Sequence, residues 1–182
     1  MGSRLSRLIM LGFAAVFVSC SDPVRDQAIE RLGGEDARVP QGPEHRPGQP
    51  CLLCHSDGGP ASNYKYAVAG TIFETSSPDS KGAEGVKVFF IDAASAMRNY
   101  DTNAAGNFFI RESEWSDLTF PFKVGLLKDG KQIPMMSTVN REGSCNFCHR
   151  PNPGSKDAIR GDDPRSSIGQ VFVANAAAGA KP

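Results

Sequence analysis

Apolar positions along this chain recur mainly in steps of two. Tyr66, Val68 and Ile72 alternate with small or polar residues, as do Val86, Val88 and Phe90, and again Phe122, Val124 and Leu126. A period of two puts alternate side chains on one face of an extended chain, so each stretch predicts a half-buried β-strand. Phe108-Phe109-Ile110 follows a turn and predicts another strand, and residues 170–173 (Gln-Val-Phe-Val) predict a last one. Lys128-Asp129-Gly130-Lys131 carries the Asp-Gly signal of a tight hairpin. Strands at intervals of roughly 10–20 residues, with turn chemistry between them, argue for a mainly β fold built as an antiparallel β-sandwich. One stretch reads as a helix: Asp22 as N-cap, Pro23 in the first turn, then Val24, Ala28 and Leu32, closed by Gly33. Residues 33–50 are rich in Gly, Pro and charge without any period, and predict a linker.

The N-terminus follows a different pattern. Arg4 and Arg7 precede an apolar stretch over residues 8–18, the layout of a secretory signal. It closes on Phe17-Val18-Ser19-Cys20, which resembles the lipobox of bacterial lipoproteins, with Phe17 where an aliphatic residue is usual. That resemblance implies cleavage after residue 19 and a lipid anchor on Cys20, held durably because two acyl chains hold where one does not. The alternative is an ordinary cleaved signal peptide. Both imply export, to the periplasm or to the outer membrane and cell surface. The expected organisation is a signal peptide (1–19), a lipid anchor, short helix and linker (20–50), one β-sandwich domain (51–174) and a frayed tail (175–182).

Composition narrows the field further. The 182 residues hold 20 Lys+Arg and 20 Asp+Glu; loss of residues 1–19 removes Arg4 and Arg7 and leaves 18 against 20. No basic field points to nucleic acid. Beyond the leader there is no apolar run of about 18 residues, which excludes a polytopic membrane protein. With 19 Gly and 13 Pro the chain is turn-rich, against a helical bundle.

Gly70-Thr71-Ile72-Phe73, Gly85-Val86-Lys87-Val88-Phe89-Phe90 and Thr102-Asn103-Ala104-Ala105-Gly106-Asn107-Phe108 together resemble the carboxypeptidase-regulatory-like β-sandwich. That family repeats a Gly-x-Val strand, a Gly-Val-x-Val strand and a Thr-Asp-x-x-Gly-x-Phe turn; here Ile72 and Asn103 replace the first Val and the Asp. The resemblance implies an immunoglobulin- or transthyretin-like sandwich and says nothing about activity.

The cysteines carry the chemistry. Cys51-Leu52-Leu53-Cys54-His55 and Cys145-Asn146-Phe147-Cys148-His149 are both C-x-x-C-H, and they use every cysteine except Cys20. On a helical turn residues i and i+3 share a face, so both thiols reach the two vinyl groups of one haem. The next residue, His55 or His149, then supplies the proximal nitrogen to the iron. Two disulfides would also suit an exported chain, but C-x-x-C is tight for internal bridges and leaves each His unexplained. A four-cysteine zinc site is the other alternative, with a gap from Cys54 to Cys145 far longer than in zinc ribbons. The pair of motifs resembles dihaem c-type cytochromes, which implies two covalently bound haem c groups and the passage of electrons to redox partner proteins or extracellular acceptors. A dihaem peroxidase is the enzymatic alternative, and a zinc-held scaffold or adhesion module the non-redox one.

Two irons need distal ligands, and His45 is the one histidine left. Wrapping back over its own motif would strain the five residues between His45 and Cys51, so spacing assigns it to the iron at Cys145 and Cys148. Pro134-Met135-Met136-Ser137 leads into the second motif; adjacent strand residues face opposite ways, so one Met can face a haem, with Met136 taken ahead of Met135. Asp101 to Glu112 falls one ligand short of an EF-hand loop, Ala105 standing at a ligand position, and reads as a β-turn. Trp115 reads as a partly buried loop anchor.

Overall fold

The computed structural model describes residues 22–34, 39, 41–77, 79–150 and 168–173. The leader, Cys20 and the tail after residue 173 lie outside the described residues, and so do the expectations that rest on them. The protein is mainly β, with two antiparallel sheets and few helices. Its strands are β1 (Tyr66–Thr71), β2 (Lys87–Ile91), β3 (Met97–Asp101), β4 (Asn107–Arg111), β5 (Lys123–Lys128) and β6 (Lys131–Pro134). β1 pairs with β4 in one sheet, and the other runs β3-β2-β5-β6.

The core lies where these sheets face each other. Val68, Phe108 and Ile110 come from the first sheet, Val88, Phe90 and Leu126 from the second. Phe90 is fully buried, 5.9 Å from the ring of Phe108 and edge-on to Phe122 at 5.8 Å. Along β2 burial alternates, with Val88 and Phe90 inside and Lys87, Phe89 and Ile91 half-exposed, as a pleated strand with one wet face requires. The β5–β6 turn places Asp129 (φ 49°) and Gly130 (φ 76°) in the left-handed region, the conformation an Asp-Gly hairpin favours.

One strand, β3, was not anticipated, and two expectations are corrected. β3 carries almost no apolar alternation because it is an edge strand, paired with β2 alone and tied to it by the Lys87–Asp101 ion pair at 2.8 Å. Residues 170–173 make one bridge, Phe73 to Phe172, and no strand; Gln170 instead donates its amide to the carbonyls of Thr75 and Ser77, both at 2.8 Å. Trp115 is fully buried core, edge-on to Phe90 at 6.0 Å. The helix α1 (Pro23–Arg31) matches its expected caps: Asp22 accepts from the amides of Val24 and Arg25, each at 3.1 Å. It buries no residue.

β1 organises everything that follows. Val68 to Thr71 are buried in succession, because β1 is covered on both faces. One side joins the core. The other takes the chain that carries the motifs: the Ala69 amide donates to the Gly143 carbonyl at 3.0 Å, and Ala69 bridges Ser144.

Candidate functional site

Both C-x-x-C-H motifs fold into the same short turn. Cys51–Leu53 is a 3-10 turn and α2 (Cys145–Cys148) a single helical turn. In each, the amide of the histidine donates to the carbonyl of the first cysteine at 2.9 Å, from His55 to Cys51 and from His149 to Cys145. That winding gives the i and i+3 cysteines a common side. The first turn is tied to the start of β1, where the Tyr66 amide donates to the His55 carbonyl at 3.0 Å. Gly59 lies against the Cys54 carbonyl, where any Cβ would collide with it. At the second motif Glu142 accepts from the Ser144 amide at 2.7 Å, and Cys145 packs on Gly70, whose added Cβ would sit 2.8 Å from that of Cys145.

The imidazoles are held alike. His55 donates Nδ1–H to the Tyr64 carbonyl at 2.8 Å, His149 to the Gly169 carbonyl at 3.1 Å, and His45 to the Gly42 carbonyl. A backbone acceptor on Nδ1 fixes the tautomer and ring direction and leaves Nε2 as the metal-binding nitrogen. His55 is further aligned by a stack in which Tyr66 lies 4.3 Å from its ring and Phe109 lies 5.0 Å beyond Tyr66. Burial pushes His55 and His149 below the usual imidazole value, and for His55 the neighbouring His45 adds to the effect. Neutral imidazole is the form that ligates a metal. Burial also pushes the Cys51 and Cys145 thiols up to about 12.

A cavity of about 490 Å³ adjoins Cys51, Cys54 and His55, and one of about 760 Å³ adjoins Cys145, Cys148 and His149. Both fall in the cofactor range of roughly 300–1,000 Å³. The motifs sit side by side across β1: Leu52 and Leu53 share a cleft with Gly143, Ser144 and Phe147. A charge on Cys51 reaches Cys145 and contributes to its raised value.

His45 sits at the first motif, not the second, with its ring centroid 5.8 Å from that of His55. Arg46 (φ 50°) and Gly48 (φ 79°) are left-handed, and these two turns reverse the chain within the five residues that spacing alone had ruled too short. The two rings are tilted by 40° to each other, close enough that both imidazoles could serve one bound metal. Met135 lines the second cavity, whereas Met136 is 96 % exposed, which reverses the order expected for that pair. The Asn103 turn is not a cation loop: its side chain accepts from the Ala105 and Asn107 amides, and Glu112 pairs with Lys65 at 2.8 Å.

No disulfide joins the four described cysteines, and among the described residues no three of His, Cys, Asp and Glu converge as a metal cluster. A haem iron takes only its axial ligands from the protein. Cysteines at i and i+3 on each short turn, a histidine next in the chain and a cavity beside each set are residues of the kind that could hold a haem. Tyr66, the carbonyls of Tyr64 and Gly169, and the Thr71–Asn107 pair escaped sequence reasoning. Backbone acceptors leave no side-chain signature, and only Gly58-Gly59 hinted at the close packing behind the first motif. No protein-family model matches the sequence, and no curated protein or solved structure matches it.

Proposed function

We propose that this is an exported dihaem c-type cytochrome in which a β-sandwich of the carboxypeptidase-regulatory kind carries two haem-binding turns. Cys51 and Cys54 would hold one haem by thioether bonds, with His55 as proximal ligand; Cys145, Cys148 and His149 would hold the other. The observation that carries this reading is the shared anchoring of Nδ1 in all three histidines, which aims each Nε2 for a metal. His45, beside His55, would supply the distal ligand of the first iron, and Met135, which lines the second cavity, that of the second. Haem, when bound, supplies one-electron exchange between ferric and ferrous iron.

The chain's own residues set the conditions for that exchange. Tyr66 and the Tyr64 carbonyl hold His55 in one orientation, so little rearrangement accompanies a change of charge. Val124, Leu126 and Ile133 line the second cavity and make that part of its wall apolar. The lipid on Cys20 would keep the carrier at a membrane surface, where it meets redox proteins or extracellular acceptors. Denaturing mass spectrometry of protein from a haem-competent host tests the reading. The mature chain is expected to carry two haem masses, and Cys51→Ala with Cys54→Ala to carry one. An unmodified mass overturns it.

A further inference from the structure

We infer that Asn107, together with Thr71, is a positioning residue for the distal histidine of the first iron. The inference rests on the dihaem reading and concerns the segment over residues 41–50, here called the strap. The strap has neither helix nor strand of its own, yet it is fastened to the smaller sheet through buried side chains. Asn107, 7 % exposed at the start of β4, donates its Nδ2 hydrogens to the strap carbonyls of Pro43 at 3.2 Å and His45 at 3.1 Å. Its Oδ1 accepts from the Thr71 hydroxyl at 2.7 Å. Thr71, 2 % exposed at the end of β1, accepts in turn from the Gly48 amide at 2.8 Å. Asn103 adds a second donor to the Pro43 carbonyl at 2.8 Å.

Thr71 and Asn107 are register partners, so the clamp is one rung of the β1–β4 ladder. The rung fits the strap alone. Both Nδ2 hydrogens, Oδ1 and the hydroxyl are all engaged, and without the strap a buried amide would lose its acceptors at a real desolvation cost. The three fastened strap residues, Pro43, His45 and Gly48, bracket the imidazole. Between them Arg46 holds a left-handed backbone that a non-glycine residue keeps only when its surroundings impose it. The position of the His45 ring opposite His55 is thus inherited from the sheet through the backbone. A linker merely laid on the surface would not need a buried, fully paired amide.

The test uses the mature chain with both haems attached, compared with His45→Ala. Asn107→Asp keeps size and shape but turns a carboxylate oxygen toward two carbonyls. Thr71→Val removes both hydroxyl bonds at equal volume, and Thr71→Ser restores them. Ferrous His45→Ala should take up one more equivalent of carbon monoxide per chain than wild type, and added imidazole should close that site again. Asn107→Asp should approach the same extra equivalent, Thr71→Val should gain a fraction of it, and Thr71→Ser should stay closed. Two haem masses and an unchanged near-ultraviolet circular dichroism show that the fold survives; if Asn107→Asp does not fold, the Thr71 pair decides. Folded, dihaem variants that exclude carbon monoxide as wild type does overturn the inference. A dihaem chain whose His45→Ala variant stays closed overturns it too and leaves the cytochrome reading standing. A wild type without haem overturns both.

Discussion

An imidazole binds a metal through one nitrogen, and the partner of the other nitrogen decides where the ring points. Here that partner is a backbone carbonyl three times over, from Gly42, Tyr64 and Gly169. The same burial that orients His55 and His149 lowers their proton affinity, which has a consequence for the chain made without haem. Above the unfolded value of 6.5 neither state holds the proton, and the folded state is at its full advantage. As pH falls below that value the unfolded imidazoles charge first, and stability drops until the folded ones follow. The urea midpoint should therefore fall between about pH 7.5 and about pH 5.5, and fall less in His149→Gln. An equal loss in that variant would show that His149 contributes nothing. The thiols make a second prediction. At about pH 8 a thiol titrating near 12 is thiolate in about one part in ten thousand. Iodoacetamide should then modify exposed Cys148 well before Cys51 or Cys145 in the folded haem-free chain. Peptide mapping reads the order, and equal rates at the three sites would contradict it.

At the scale of elements, the fold's stability rests on the strands whose alternation buries large side chains. Phe90 touches aromatic partners from three directions, Phe108, Trp115 and Phe122. Phe90→Ala should cost about 3–5 kcal/mol in denaturant unfolding. Lys87, one residue from β2's buried Val88 but facing solvent beside Asp101, should cost no more than about 0.5 kcal/mol on truncation. Similar losses from both would place the register of β2 in error. β2 was legible because it has one dry and one wet face, which a period of two records directly; β5 carried the same period over Phe122, Val124 and Leu126, and β4 showed as three apolar residues after a turn. β1 was legible only in part, since the motif-bearing chain dries its second face as well. β3 escaped because an edge strand is paid for by backbone pairing and a cross-strand ion pair, neither of which leaves an apolar rhythm. The strap escaped for a different reason. Its order comes from Asn107 and Thr71, more than 20 residues away in sequence, so its own composition reads as a linker.

Taken as a whole molecule, the chain puts two chemically different sites on either side of one strand. The C-x-x-C-H motifs were plain in the sequence because the attachment proposed for them would depend on local spacing alone. The candidate distal ligands were not, because they depend on where the strap and the segment after β6 come to rest. Beside the first motif the chain brings His45; beside the second, Met135. A thioether sulfur favours ferrous iron relative to imidazole, so a His/Met site takes up its electron at higher potential than a bis-His site. A spectroscopic redox titration of the dihaem protein should accordingly resolve two one-electron steps. The upper one should belong to the haem on Cys145 and Cys148, and should be the one that survives in Cys51→Ala with Cys54→Ala. The ferric protein should show the weak far-red sulfur-to-iron band, and Met135→Ala should abolish it while Met136→Ala leaves it in place. Met135→His makes the two ligand sets alike, and the steps should then draw together. A single unresolved step in wild type, or a far-red band lost with Met136 rather than Met135, would mean that the second iron finds its sixth ligand elsewhere. On the proposed assignment, an electron entering at the strap side of β1 would run downhill to the α2 side, so the two sites would give a carrier a direction as well as a capacity.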